Sequence, residues 1–172
     1  MRWLSRCMGL VSIAVIARIL TPEDFGVIAV ATALIALMDA FSELGVETAI
    51  IRHTNPKRKH FDTAWTFNLI IHLVSAILIA LAGFFSFQFY TDPRYEDILY
   101  VMGFSMLIAG FTNIGIANFR RNLEYHKDFQ INVTTQLIGV ISTLALAFLL
   151  RSYWALVYGG LIRSITKLLL SY

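Results

Sequence analysis

The sequence is poor in charge, in cysteine and in turn-forming residues. Asp, Glu, Lys and Arg make up only 15% of its 172 residues, against about a quarter in soluble domains, so an ordinary water-facing surface is excluded. A single cysteine, Cys7, excludes an intrachain disulfide framework and reads as a small apolar helix residue. Three prolines and ten glycines exclude collagen-like and low-complexity chains. There is no GxxxxGK[ST] phosphate loop, no HExxH pair and no Cys/His cluster, so ATP hydrolysis and metal chemistry have no visible apparatus and no cofactor is expected. Gly103-Phe104-Ser105-Met106 lacks the second glycine of a serine-nucleophile turn.

What fills the chain is hydrocarbon. Apolar residues are 58% and aromatic ones 13%, with a mean hydropathy of +0.69. Apolar runs of roughly 20 residues, the length needed to cross a bilayer, occur at about residues 3–20, 25–51, 63–90, 98–119, 129–150 and 153–172. They are too long for strands and lack period-two alternation. The fold class expected is therefore all-α: a polytopic transmembrane helical bundle of about six spans, forming one domain over residues 1–172. Thr21-Pro22-Glu23-Asp24 and Thr91-Asp92-Pro93 carry the proline and acidic residues that open new helices.

Orientation follows from Lys and Arg in the short connections. Residues 52–60 hold Arg52, Lys57, Arg58 and Lys59 with no acid, and the fourth connection holds Arg120, Arg121 and Lys127. The first connection instead carries Glu23 and Asp24, the third sets Arg94 against Asp92, Glu96 and Asp97, and the fifth has only Arg151. Even-numbered connections and both termini are thus expected in the cytoplasm. Trp3, Trp65 and Trp154 fall at predicted helix ends, as interfacial anchors do. A cleaved secretory signal at the start is rejected because Arg18 interrupts the cleavage region. Cationic loops also suit nucleic acid, but the positive-inside pattern accounts for them and no nucleic-acid partner is expected.

Ionisable groups at membrane depth are costly and point to function or to tight pairing. Asp39, Glu43 and Glu47 are four residues apart and form one stripe on the second helix, with Asp39 about 25 Å from Pro22. Antiparallel pairing of the first two helices sets Arg6 level with Asp39 and Arg2 level with Glu43, which reads either as an interhelical ion-pair ladder or as a cation or proton site. Asn68 and His72 share a face of the third helix, with His72 near mid-membrane, either as a titrating group or as a hydrogen-bonded packing residue. Asn113, Asn118, Asn132 and Gln136 bias polarity toward the inner half, which suggests a vestibule for a polar head group. Gly103, Gly110, Gly115, Gly139 and Gly159-Gly160 read as close-packing or flexing points.

Four segments carry a family likeness: ARILTPEDFG at 17–26, ELGVETAIIR at 43–52, DTAWT at 62–66, and NIGI at 113–116 with FRR at 119–121. In these the chain resembles the polysaccharide transport family of Wzx-like oligosaccharide flippases, related to the multidrug and oligosaccharidyl-lipid exporters. The resemblance implies the first lobe of a longer two-lobe transporter in the cell inner membrane. It also implies a non-enzymatic function, moving lipid-linked oligosaccharide repeat units across the cytoplasmic membrane for capsule, exopolysaccharide or O-antigen synthesis. Implied partners are the lipid-linked oligosaccharide, the bilayer, and a polysaccharide polymerase or export complex. Arg18, Asn68, His72, Asn113 and Gln136 are the substrate-path candidates, and Arg6, Asp39, Glu43 and Glu47 the ion-pair or coupling candidates. Three other readings stay open: an ion-coupled drug or metabolite exporter on the same scaffold, a membrane-embedded polymerase or acyltransferase, and a purely structural partner subunit.

Overall fold

The computed structural model describes residues 9, 16–18, 20–42, 46–53, 56–89 and 92–172. Among these every regular element is helical: α1 Pro22–Ser42, α2 Val46–Arg52, α3 Arg58–Phe89, α4 Arg94–Gly110, a 3-10 turn Ile114–Ile116, α5 Ala117–Arg121, α6 Tyr125–Leu150 and α7 Trp154–Leu170. Arg2, Trp3, Arg6, Cys7 and Glu43 lie outside the described residues, as does most of the first expected span and the Arg6–Asp39 pairing drawn from it.

Local chemistry explains where the helices start. Asp24 N–H donates to Thr21 Oγ1 at 3.3 Å while Thr21 N–H donates to Asp24 Oδ2 at 3.4 Å, a reciprocal cap in which Pro22 needs no donor and Glu23 and Asp24 complement the helix dipole. Helix α3 begins at Arg58, so the cationic stretch read as connection is partly its first turn. Lys57 N–H donates to His60 Nδ1 at 2.9 Å, which satisfies a donor at that end. At 32 residues, about 48 Å, α3 outruns a ~30 Å hydrocarbon layer.

The helices are laid out as a row, α3 beside α4, α4 beside α7 and α7 beside α6, with α1 against α4 and α3. The main core joins Val27, Ile28 and Ala31 of α1 to Ile79, Ile98, Met102, Met106 and Val157. A second cluster joins Ile16 and Leu20 to Ala147 and Ala155, and a third joins Ile50, Ala64 and Ala117. Small residues allow close approach: a Cβ added at Gly103 would sit 3.3 Å from the Ala76 carbonyl oxygen, and one at Gly83 would sit 3.2 Å from Leu99 Cβ. Ser105 and Ser164 hydroxyls meet at 2.8 Å and tie α4 to α7.

The outer surface is apolar. Phe67, Ile70, Val74, Ile77, Leu81 and Phe84 follow one face of α3 and are each 47–56% exposed, a stripe that water would penalise and lipid would not. Helices α3 and α6 are each long and apolar enough to cross a membrane, and α4 with the segment Ile114–Arg121 makes a third if that bent pair is one span. The molecule is thus an all-α bundle of membrane type.

The expected continuous helix over 98–119 is corrected. The chain bends by 59° between Arg94–Gly110 and Ile114–Arg121. Asn113 Oδ1 accepts from Gly115 N–H at 2.8 Å and opens the 3-10 turn, since a short amide competes with the helix for backbone partners. Freed groups are met by the end of α7: Asn113 N–H donates to Ser171 Oγ at 3.0 Å and Tyr172 O–H to the Phe111 carbonyl at 3.3 Å. Broken helices survive at membrane depth only with such substitutes.

Candidate functional site

Helices α6 and α7 meet through two reciprocal contacts. A Cβ at Gly139 would lie 3.1, 3.3 and 3.4 Å from Cβ, Cγ and Cδ of Arg163, and a Cβ at Gly159 would overlap Thr143 Oγ1. Each helix therefore offers a glycine to a larger residue of the other. Thr143 Oγ1 is satisfied within its own helix, donating to the Gly139 carbonyl at 2.7 Å. Beside this seam opens a cleft of about 210 Å³ whose wall includes Gly9, Gln136, Thr143, Gly160 and Arg163.

Arg163 is the exposed cation of this cleft. It lies about 14 Å along α7 from Trp154, near the middle of a ~30 Å hydrocarbon layer. Its aliphatic stem runs against Gly139. Guanidinium and amide together supply planar donors that suit phosphate or sugar oxygens.

The substrate-path candidates do not converge. Only Gln136 lies on the cleft. Asn68 Nδ2 donates to the Gly110 carbonyl at 3.2 Å, and His72 Nδ1 donates to the Asn68 carbonyl at 2.9 Å; both residues serve the α3–α4 seam, where a Cβ at Gly110 would crowd His72 Cβ at 2.7 Å. Asn113 caps the bend, and Arg18 is exposed in the turn before α1. Of the coupling candidates, Asp39 lies on α1, Glu47 is placed by its backbone in α2, and Arg6 and Glu43 fall outside the described residues. The sequence reading passed over Arg163. Its signal was there: an arginine far from either end of an apolar run, four residues after Gly159.

Arg94 was also undervalued as mere loop charge. Its Nη1 donates to Asp24 Oδ1 at 2.8 Å, its Nη2 to Asp92 Oδ2 at 2.6 Å and its Nε to Asp92 Oδ2 at 2.7 Å. Arg94 Cζ lies 5.7 Å from the centre of the Tyr153 ring, which leads on to Trp154 at 5.4 Å and then Tyr158 at 5.2 Å. One guanidinium thereby ties the starts of α1, α4 and α7. Hydrogen bonds from its side chain and backbone N–H hold the Asp92 carboxyl below its ordinary value, and the same contact raises Arg94 above its own.

The family described as "Polysaccharide biosynthesis protein" matches residues 15–172. The chain belongs to this family. Among curated relatives it is 23% identical over 163 residues to the "Lipopolysaccharide biosynthesis protein WzxC" of Escherichia coli (strain K12), covering 95% of this chain and 33% of the relative. It is 22% identical over 163 residues to the "Succinoglycan biosynthesis transport protein ExoT" of Rhizobium meliloti (strain 1021), covering 92% and 32%. The chain thus spans about a third of the length of the curated relatives it matches. No solved structure matches it.

Proposed function

We propose that the chain forms one lobe of a transporter that carries lipid-linked oligosaccharide repeat units across the cell inner membrane, with Arg163 and Gln136 on the path of the charged head group. Family membership and the relatives' names, one of them a transport protein, support a transporter of polysaccharide biosynthesis. The observation that carries the finer reading is the mid-depth cleft with its arginine. Sugar and phosphate resist hydrocarbon because each unsatisfied polar group costs about 2–7 kcal/mol there. A guanidinium already placed at that depth lowers the barrier by replacing lost water with charge-assisted hydrogen bonds.

In this reading the cationic connections face the cytoplasm, and the head group enters from that side. Asn68, His72 and Asn113 act through the packing and bend of α4, and Arg18 sits at the opposite interface. A polymerase or export complex is the expected downstream partner.

The test is made in the cells that produce the protein. Arg163→Gln should lower polymer export about tenfold or more, the scale of a lost charged hydrogen bond, and lipid-linked repeat units should accumulate while protein levels in the membrane stay constant. Arg163→Lys should restore part of the export. Unchanged export from Arg163→Gln removes the residue from the path; normal polymer with impaired drug efflux in a deletion strain replaces the reading with the exporter.

A further inference from the structure

A second cleft, of about 350 Å³, lies at the end of the bundle away from Arg94, between α2 and the first turns of α3. Its walls are hydrocarbon, chiefly Ala49, Ile50, Ala64 and Phe67. Its rim is not: the His53 and His60 rings line it with centroids 4.5 Å apart. Lys57 N–H donates to His60 Nδ1 at 2.9 Å, so a neutral His60 carries its proton on Nε2 and offers a donor there.

The segment that joins the two walls of the cleft is cationic. Between Glu47 and Asp62 the chain holds Arg52, Lys57, Arg58 and Lys59 and no acid, and Lys57, Arg58 and Lys59 are exposed. The N-terminus of the long helix α3 adds its partial positive charge. The opposite end of the cleft leads to lipid, because Phe67, 54% exposed, is the first member of the apolar stripe on α3. His60 precedes Phe67 by about 10 Å of helix rise. With Phe67 in hydrocarbon, the rim therefore stands at head-group level.

We propose that this cleft binds an anionic glycerophospholipid of the adjoining leaflet, with an acyl chain along Ala49, Ile50, Ala64 and Phe67 and the phosphate at His60 and Lys57. The two halves of the site select one occupant. Free phosphate would use the rim and leave the walls wet, whereas a zwitterionic lipid would use the walls but bring its phosphate together with a cation that the basic segment repels. The site is independent of the Arg163 cleft and of what that cleft transports.

The experiment compares spin-labelled phosphatidylglycerol with spin-labelled phosphatidylcholine on the purified chain in lipid nanodiscs. Phosphatidylglycerol should be immobilised about fivefold more strongly, the scale of one cation near an anionic surface. Lys57→Gln with His60→Gln should erase that preference, and Lys57→Arg should keep it. Ala49→Phe should reduce the immobilised fraction of both lipids by filling the cleft. Lys127→Gln, which removes one charge from the same end outside the cleft, should change nothing. The proposal is overturned by an equal loss in Lys127→Gln, which would mark diffuse surface charge, or by an unaltered signal in Ala49→Phe. Displacement of the labelled lipid by millimolar inorganic phosphate overturns it too, since the rim alone would then be the site.

Discussion

At one end of the bundle Arg94 reaches Asp24, seventy residues away, together with Asp92 and the Tyr153 ring; at the other end the ion pairs seen among the described residues are local. There Arg120 meets Asp128 at 3.2 Å and Lys127 meets Glu124 at 2.6 Å, each joining neighbouring segments. Lys57, Arg58 and Lys59 are exposed there, in the segment that leads into His60 of the apolar cleft. The first end is closed by its own charges, because acids and a cation from two connections neutralise one another and the Tyr153 ring of a third packs on the cation. The second carries an excess of cations, the charge on which the proposed lipid site relies. Rigidity and binding capacity are thus divided between the two faces of the same four-helix row.

The largest effect should come from a change that acts on both ends at once. Gly159→Leu drives a side chain into Thr143 at the α6–α7 seam, and overpacking of this kind costs on the order of 3 kcal/mol. Thermal unfolding in detergent should show a lowered midpoint, and hydrogen exchange should rise at both faces. If only one face responds, the two are not coupled through the seam.

A smaller and one-sided effect should follow from Arg94→Ala. Exchange should quicken at residues 20–24, 92–97 and 151–155 while residues 56–60 stay as they were. Acid should imitate the substitution. The Asp92 carboxyl is held below 3.8, its ordinary value, so its contribution to stability is present above that value and is lost as pH falls through the lowered one. A melting temperature in the wild type that falls with acid below that range, beside an Arg94→Ala variant that falls less, would confirm the sign. Equal acid sensitivity in both would break the contrast.

The smallest effect concerns the turn after α6. Arg151 has φ 47° and ψ 39°, a left-handed conformation that disfavours any residue with a Cβ. Arg151→Gly should stabilise the acidic end by about 0.5–1 kcal/mol, seen as a small rise in the same unfolding midpoint.

Much of the fold was legible because its signals are local. Thr21, Pro22 and Asp24 announce α1 through chemistry confined to four residues, and the apolar stripe of α3 is a matter of length and periodicity. The bend at Asn113 was hidden, since an asparagine inside an apolar run looks the same whether it continues a helix or caps a new turn. Ser171 and Tyr172, far along the chain, supply the bonds that make the break tolerable. Gln136 was found as a candidate for its polarity alone. Arg163 was missed because its meaning depends on Gly139, a residue of another helix.

Composition and run length by themselves determined that this chain is an all-helical membrane bundle with one cationic and one acidic end, because burial of backbone in lipid permits little else and charge resists crossing. Which polar residues share a cleft was decided only by tertiary packing. Contacts between helices depend on register and on where a glycine lets a neighbour approach, and neither is encoded in any single segment.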